Sequence, residues 1–127
     1  MSSSDAYDRG KPMAEATNPG IEETLAKRYD ALLPGFSKSL IEVAYGHYYT
    51  REGLDAKTRY LTTIAALTAM GGQTAPQLKV HIRNALGSGA SQREIAETIN
   101  QMALYGGFPA MVNALNAAIE VFEEDAS

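Results

Sequence analysis

Residues 77–110 contain two helical patterns that meet at a glycine-rich turn, and this stretch favours a fold made of helices. The first pattern runs into Gly87-Ser88-Gly89. We expect the helix to end there, because glycine readily adopts the backbone conformations that end a helix. The second starts at Ser91-Gln92-Arg93-Glu94, in which the serine and the glutamate can each accept a hydrogen bond from a backbone N–H of the first turn. Gly106-Gly107 interrupts this pattern, and Pro109 suits the first turn of a further helix.

Apolar residues recur every three or four positions along most of the remaining chain, as they do in amphipathic helices. Such patterns cover residues 21–33 and 36–49, and they resume after Leu54-Asp55 and after Pro76. The last pattern predicts a common buried face for Val112, Leu115, Ile119 and Phe122. No segment alternates with the period of two that is typical of a β-strand. The sequence therefore predicts an all-α fold with about six helices.

The segment from Tyr60 to Met70, YLTTIAALTAM, carries no charged residue and is apolar all round. A helix of this kind is usually buried, so we expect it to be central. Gly71-Gly72 and Pro76 follow, and they make the apolar run too short to span a bilayer. We therefore expect no membrane partner.

Residues 1–20 are polar and contain several residues that interrupt helices: Gly10, Pro12, Pro19 and Gly20. We interpret them as a mobile N-terminal arm, or as an arm that is ordered only against a partner. Residues 21–127 fit a single domain. The polar and acidic N-terminus differs from a signal peptide, so we expect a cytoplasmic protein.

The chain contains no cysteine, which excludes disulfides, thiol nucleophiles, CxxC redox chemistry and thiolate metal sites. Its two histidines argue against a histidine-rich metal site, so no bound metal is expected. The net charge is −4, and no basic patch is long enough to indicate a nucleic-acid partner.

Four sequence blocks occur in an order that indicates a family: REGLDAKTR, LKVHIRNAL, GASQREIAE and YGGFPA, beginning at Arg51, Leu78, Gly89 and Tyr105. Together they resemble the carboxymuconolactone decarboxylase family, which is related to alkylhydroperoxidase D. The resemblance covers residues 44–122. The AYG at Ala44-Tyr45-Gly46, ahead of YTREGL, is most similar to the γ-carboxymuconolactone decarboxylase branch.

The resemblance implies an all-α, alkylhydroperoxidase D-like bundle with an antiparallel helical hairpin core, assembled as a trimer or hexamer. It also implies one of two activities. The decarboxylase branch converts 4-carboxymuconolactone to 3-oxoadipate enol-lactone during the breakdown of aromatic compounds. The peroxidase branch reduces hydroperoxides with a CxxC pair, a histidine and an acidic relay residue.

The chain departs from both branches at particular positions. Thr74 and Gln77 occupy the positions of the peroxidase cysteines, and Tyr60 follows Arg59 where those proteins carry glutamate. Thiol peroxidase chemistry is therefore excluded. In the decarboxylase branch a glutamate follows the motif that resembles AYG, whereas this chain has His47 there.

The reaction of the decarboxylase branch needs no cofactor, because the substrate carries its own electron sink. Loss of carbon dioxide from the ring carbon beside the ring oxygen sends electrons through the ring double bond to the lactone carbonyl. Protonation on carbon completes the reaction. The protein must hold two carboxylates, stabilise the negative charge that develops on the lactone oxygen, and supply a proton.

Proton delivery suits a histidine, because the ordinary pKa of its side chain lies near neutrality. His81 lies beside Leu78 and Ala85 on its predicted helix, so it points toward the core side. A hydrogen-bonded core histidine is the alternative interpretation. His47 could be a second acid or base, although it shares a predicted face with Val43 and could pack there instead. We take His81 and His47 as the candidate catalytic residues.

Carboxylate binding suits arginine, whose guanidinium pairs with both carboxylate oxygens. Arg51, Arg59 and Arg83 are the candidates, and the motif favours Arg51. Arginines near helix ends also lie in solvent or cap carbonyl groups. Tyr48 belongs to a tyrosine cluster that could line a substrate pocket, or pack in the core or between subunits.

The leading hypothesis is a cofactor-free decarboxylase, or a close lyase or isomerase relative, that acts on a small carboxylated lactone. The alternative is a non-catalytic helical homo-oligomer that binds a small ligand. In either case, helices this apolar on a chain of 127 residues predict a trimer or hexamer.

Overall fold

The computed structural model describes the backbone of residues 5–126 and the side chains of residues 5–124. Helices account for most of this range, and no strand occurs within it, which confirms the all-α prediction. The chain divides into two compact units, Met1–Asp55 and Ala56–Ser127. The prediction of one domain over residues 21–127 stays a prediction. In the described part of the chain no helix is both long and apolar enough to cross a bilayer.

The first unit contains helices α1 (Asp5–Thr17), α2 (Ile21–Tyr29) and α3 (Phe36–Leu40), and α3 continues directly into a π-helical segment, Ile41–Tyr49. Gly20 and Gly35 precede α2 and α3 with φ angles of 80° and 83°. Glycine adopts this left-handed conformation without the steric cost that a Cβ atom brings. The two glycines therefore permit the turns that precede α2 and α3.

Helix α1 lies in the segment that the sequence predicted to be an arm. Its buried residues, Ala6, Gly10 and Ala14, are spaced by four and form a helical stripe. Such small residues carry little hydrophobicity, and Pro12 lies inside the helix, so the apolar pattern does not reveal it. The first four residues of the predicted arm lie outside the described residues, and the mobility of residues 1–20 stays a prediction.

Helix α1 packs against the π-helical segment through two glycines. A Cβ atom on Gly10 would lie 2.6 Å from the backbone nitrogen of Gly46, and one on Gly46 would overlap the carbonyl oxygen of Ala6. The guanidinium of Arg9 donates to the Gly46 carbonyl through Nε and Nη2, at 3.4 and 3.3 Å. Thr50 Oγ1 donates to the same carbonyl at 2.8 Å. The backbone contact and the hydrogen bonds from Arg9 together hold α1 on the segment, while the Thr50 bond lies within the segment's own end.

The π-helical geometry changes which side chains share a face. A π-helix bonds i to i+5 and has a wider turn than an α-helix. Ile41, Tyr45 and Gly46 are accordingly the buried residues of this segment, at spacings of four and five. Val43 and His47, which the sequence placed on one face of an α-helix, are both exposed here.

The second unit contains α4 (Ala56–Met70), a 3-10 turn (Gly72–Thr74), α5 (Ala75–Gly87), α6 (Gln92–Gln101), the short α7 (Ala103–Gly106) and α8 (Phe108–Ala126). The predicted start of α6 is confirmed. Ser91 Oγ accepts from the Glu94 N–H at 2.9 Å, and the Glu94 carboxylate accepts from the Ser91 N–H at 2.9 Å. The turn between α5 and α6 therefore lies where the glycines predicted it.

Helix α4 packs against α5, α6 and α8, as expected for a central helix. Its buried stripe consists of Tyr60, Ile64 and Thr68, at four-residue steps. Thr62 and Met70 are exposed, so α4 is not buried on all sides in a single chain. The exposed residues of α4 are Thr62, Ala66 and Met70, of which threonine is a residue type mostly found at protein surfaces.

Helix α8 buries a face of mostly small residues: Met111, Ala114, Ala117, Ala118 and Val121. The predicted face is therefore wrong by one position, since Val112 and Ile119 are each about half exposed. Alanine allows α8 to lie close to its neighbours α4, α5 and α6. Close backbone approach has determined the buried face here, rather than side-chain size.

Candidate active site

His81 lies on α5 and is half-buried. Its Nδ1 atom is 2.8 Å from the carbonyl oxygen of Gln77, one turn earlier on the same helix. A carbonyl oxygen can only accept a hydrogen bond, so Nδ1 must carry the hydrogen. In the neutral ring, Nε2 then has the lone pair and can receive a proton. The helix thus selects the tautomer of the candidate acid–base group.

Tyr60 of α4 faces His81. The centroids of the two rings are 6.3 Å apart, and the ring planes are inclined by 52°. The Tyr60 side chain is fully buried. The sequence indicated this position only as a departure from a related family, one residue after Arg59, and did not place Tyr60 among the site residues. The tyrosine in place of that family's glutamate was the sequence signal that could have found it.

Burial lowers the pKa of His81 below its ordinary value of 6.5, and the hydrogen bond to Gln77 opposes this effect only in part. The cause is desolvation, since removing an imidazolium from water disfavours the charged form. His81 is therefore neutral at pH 7, with Nε2 as its basic atom. A nearby negative charge would favour the protonated form.

Arg83 points to a different side of α5. Its Nε and Nη2 atoms donate to the Glu124 carboxylate at 3.1 and 2.9 Å, and this guanidinium lowers the pKa of Glu124. Lys79 Nζ pairs likewise with Glu120 at 2.6 Å. Both cations are two residues from His81 on the helix, a spacing at which side chains do not face each other. Arg83 is thus directed to α8 and away from the imidazole.

Arg59 precedes Tyr60 on α4 and is half-buried. Its backbone carbonyl accepts hydrogen bonds from the hydroxyl groups of Thr62 and Thr63, at 2.7 and 3.0 Å. Neighbouring residues on a helix differ in direction by roughly 100°. Arg59 therefore lies beside the Tyr60–His81 pair in the sequence without sharing its face, and its binding of substrate stays a prediction.

The other three predicted site residues belong to the first unit. His47 and Tyr48 lie at the end of the π-helical segment, and the Tyr48 side chain is 63% exposed. Arg51 is also exposed, and its backbone N–H donates to the Tyr48 carbonyl at 3.2 Å. His47 is exposed as well, which does not support the alternative that it packs in a core.

A cleft of about 180 Å³ opens in the second unit beside the start of α5. Its lining includes Gly71, Gly72, Thr74, Leu78 and Asn113. Thr74 Oγ1 donates to the carbonyls of Leu67 and Gly71, at 2.7 and 2.9 Å, so a hydroxyl bound to the main chain occupies this cysteine position of the peroxidases.

The described residues contain no group of three or more histidine, aspartate or glutamate side chains that could hold a metal ion. The functional groups among the residues described above are a neutral imidazole, a buried phenol and several guanidinium groups. These groups can exchange a proton and bind carboxylates.

Comparison with known proteins gives a consistent set of relatives. Residues 34–120 match the family model described as "Carboxymuconolactone decarboxylase family". An uncharacterized 15.0 kDa protein in the nqo9-nqo10 intergenic region of Paracoccus denitrificans is 46% identical over 116 residues, which cover 91% of this chain and 87% of that protein.

Two further relatives have names that state an activity. The 4-carboxymuconolactone decarboxylase of Acinetobacter baylyi is 36% identical over 70% of this chain and 65% of its own length. The nitrosuccinic acid decarboxylase npaB of Metarhizium robertsii is 30% identical over 75% of this chain and 64% of its own length. The chain therefore spans slightly less than two thirds of each of these two enzymes.

Proposed function

The chain belongs to the carboxymuconolactone decarboxylase family, and on this premise we propose that it is a cofactor-free carboxy-lyase. The proposed reaction converts 4-carboxymuconolactone, or a related small carboxylated lactone, to 3-oxoadipate enol-lactone in the catabolism of aromatic compounds. The observation that carries the proposal is His81, whose imidazole is held in one tautomer beside a buried phenol.

The proposed reaction breaks one carbon–carbon bond and forms one carbon–hydrogen bond. The electron pair of the bond to the carboxylate moves through the ring double bond to the lactone carbonyl, and carbon dioxide leaves. A furan-like dienolate remains, with its negative charge on the lactone oxygen. One proton then adds to carbon, so the protein needs a proton donor rather than an oxidant or a reductant.

His81 is the proposed donor. The free protein holds it neutral, because burial lowers its pKa. A bound substrate brings two carboxylates, and negative charge nearby stabilises the imidazolium. A proton taken up at Nε2 would then be delivered to the dienolate, which returns His81 to its neutral form. Substrate binding and proton uptake are coupled in this scheme.

Carboxylate binding falls to the arginines. Arg51 and Arg59 are the favoured candidates, because the carboxylate partner that the structure gives Arg83 is Glu124, on the side of α5 toward α8. We propose that His47 and Tyr48 contribute hydrogen bonds to the substrate or its developing oxyanion. Their exposed side chains at the end of the π-helical segment support this role.

The names of the two relatives support the substrate class. Carboxymuconolactone and nitrosuccinic acid are both dicarboxylic acids with an electron-withdrawing group that can take up the electrons left by a departing carboxylate. A site for such molecules needs anion binding and a proton donor, and it needs no prosthetic group.

The second candidate function is a non-catalytic homo-oligomer that binds a small ligand. His47 favours this function, because the decarboxylase branch has a glutamate at the position where this chain has the histidine. Three exposed residues near the start of α8 favour the oligomer in either case: Leu104, Tyr105 and Phe108, which are 69% to 75% exposed. Apolar side chains grouped in this way commonly form subunit contacts, and we propose a trimer or hexamer.

Ultraviolet-monitored turnover of 4-carboxymuconolactone tests the proposal. We expect the unmodified protein to consume the lactone, and His81→Gln to lose most of this activity while its circular dichroism spectrum is unchanged. If the folded, unmodified protein leaves this lactone and related carboxylated lactones intact, the decarboxylase proposal fails and the binding function gains support.

A further inference from the structure

Nine consecutive residues of the first unit, Ile41–Tyr49, form the π-helical segment. π-helices are rare, and most of them are single turns inserted in an α-helix. The segment contains no proline and only one glycine, Gly46, so α-helical bonding is open to its sequence. A cause outside the segment is therefore the simplest account of its π-helical register.

Helix α1 meets the segment at the two groups of one π-helical hydrogen bond. In π-helical bonding the N–H of Gly46 pairs with the carbonyl of Ile41, five residues earlier, whereas α-helical bonding would pair it with the carbonyl of Glu42. A Cβ atom on Gly10 would lie 2.6 Å from the Gly46 nitrogen and 2.7 Å from the Ile41 oxygen. The backbone of α1 at Gly10 therefore lies directly against this pair of groups.

Helix α1 also contacts the other backbone atoms of Gly46. The carbonyl of Ala6 lies against its Cα atom, since a Cβ atom there would overlap the Ala6 oxygen. Nε and Nη2 of Arg9 donate to its carbonyl oxygen at 3.4 and 3.3 Å, which is long for such bonds, so each is weak by itself. A register that turned Gly46 away from α1 would lose all of these contacts together.

An α-helical register would redirect the end of the segment. A π-helical turn accommodates one more residue than an α-helical turn, so a change to α-helical bonding would rotate the residues that follow by roughly 100° relative to α1. His47 and Tyr48 come directly after Gly46, and both side chains are exposed. The direction of these two side chains therefore depends on the register that α1 favours.

We propose that α1 is a backbone clamp that selects the π-helical register, and that Arg9 and Gly10 are positioning residues for His47 and Tyr48. The first half concerns the free protein and is independent of the substrate. The second half rests on the proposed function, in which His47 and Tyr48 contribute hydrogen bonds to the substrate or its oxyanion.

Spin-label distances test the first half without substrate. The chain has no cysteine, so Glu23→Cys on α2 and Tyr48→Cys carry the only two labels of a chain, and dilution with unlabelled protein restricts the measurement to distances within one chain. Gly10→Ala puts a methyl group into the contact. Because this change is on α1, a new register in the segment can arise only through the contact. We expect the distance to shift by several ångströms, and a crystal structure of Gly10→Ala to show the Gly46 N–H bonded to Glu42.

Ala16→Gly is the matched control. Ala16 is exposed on α1, so glycine there weakens the helix without changing the face that meets the segment. We expect this variant to keep the distance and the π-helical register of the unmodified protein. A folded Gly10→Ala that keeps the Gly46 N–H on Ile41 would overturn the clamp, and so would the same change of register in Ala16→Gly.

Arg9 provides a milder variant, should Gly10→Ala fail to fold. Arg9→Met removes the donors to the Gly46 carbonyl and leaves the glycine contact intact, whereas Arg9→Lys keeps one donor. We expect a second distance population in Arg9→Met that is absent from Arg9→Lys. A single, unchanged distance in both variants would refute the clamp.

A double-mutant cycle of turnover tests the second half. Because a small displacement of a group that binds substrate can cost up to about 100-fold in rate, we expect Gly10→Ala to lower kcat/KM about 10- to 100-fold. In a His47→Gln/Tyr48→Phe background the same change has no side chain left to misplace, so we expect little further loss. Equal losses in both backgrounds would show a general structural effect and contradict the positioning role. If the unmodified protein has no turnover, the decarboxylase proposal fails, while the spin-label distances and the crystal structure still decide whether α1 selects the register.

Discussion

Gly10 and Gly46 lie so close that neither position has room for a Cβ atom. The first residue belongs to α1 and the second to the π-helical segment that ends with His47 and Tyr48. Because the Gly46 carbonyl also accepts hydrogen bonds from Arg9 of α1, this crossing is both a steric and a polar contact. It makes α1 a support for the segment that carries two of the predicted site residues.

The Gly46→Ala variant tests this contact. Its methyl group would overlap the Ala6 backbone, and inserting an atom into a closely packed region costs about 1–3 kcal/mol and sometimes more. We expect a loss of this size in urea-induced unfolding. Gly72→Ala is the matched control, because its methyl group would meet only the exposed Asn113 side chain. Equal stability of the two variants would contradict the close packing.

The activity should fall as the pH rises. A proton donor works in its protonated form, and burial places the pKa of His81 below 6.5. We therefore expect kcat/KM to decline about tenfold per pH unit above the pKa of His81 in the free protein, with the decline already under way at pH 6.5. The pH profile of turnover measures this, and His47→Gln should keep the same decline. A profile that rises with pH would identify His81 as a base.

His81 should also make stability depend on pH in a defined window. Its pKa is lower in the folded protein than the 6.5 of an ordinary histidine, so the unfolded chain binds more protons between these two values. The free energy of unfolding should rise with pH through this window and level off above 6.5. His81→Gln should remove this part of the dependence in urea unfolding at a series of pH values. Parallel curves for both proteins would refute the depressed pKa.

The pairing of Arg83 with Glu124 predicts a limited role in substrate binding. The guanidinium is directed to α8, so we expect Arg83→Gln to change KM less than Arg59→Gln does. Glu124→Gln distinguishes an Arg83 that binds substrate from an Arg83 that only pairs with Glu124. If Arg83 binds substrate, removing its carboxylate partner should lower KM; we expect no such change. Steady-state kinetics of the three variants decide this.

The exposed residues Leu104, Tyr105 and Phe108 predict self-association. Light scattering at micromolar concentration should give the mass of a trimer or hexamer. Tyr105→Glu places a charge among these apolar side chains and should shift the mass toward the monomer. Arg93→Glu changes a charge at an exposed position of α6. It is the control and should leave the mass unchanged. A monomeric unmodified protein would rule out the oligomer.

The sequence predicted those features that depend on strong local signals. The all-α class and the start of α6 followed from apolar spacing and from the Ser91–Glu94 pair, and both are confirmed. His81 was placed toward the core side from its neighbours Leu78 and Ala85, and it is half-buried. These features depend on residues close together in the chain.

Other features depend on contacts that the sequence does not display. Helix α1 is buried through Ala6, Gly10 and Ala14, whose value lies in close approach rather than in hydrophobic area. The face of His47 was predicted from α-helical spacing, which the π-helical geometry changes. Tyr60 became a neighbour of His81 only through the packing of α4 on α5. Spacing rules cannot report which residues of two helices meet.

The π-helical segment has a consequence for how this chain can change by insertion and deletion. Removing one residue between Ile41 and Gly46 would let the segment adopt ordinary α-helical bonding, which is the more favourable geometry for most sequences. Because the i→i+5 turn accommodates one more residue than an α-helical turn, the residues after the deletion would keep nearly the same direction about the helix axis. A single-codon deletion would therefore shorten the segment and leave the direction of His47 nearly unchanged.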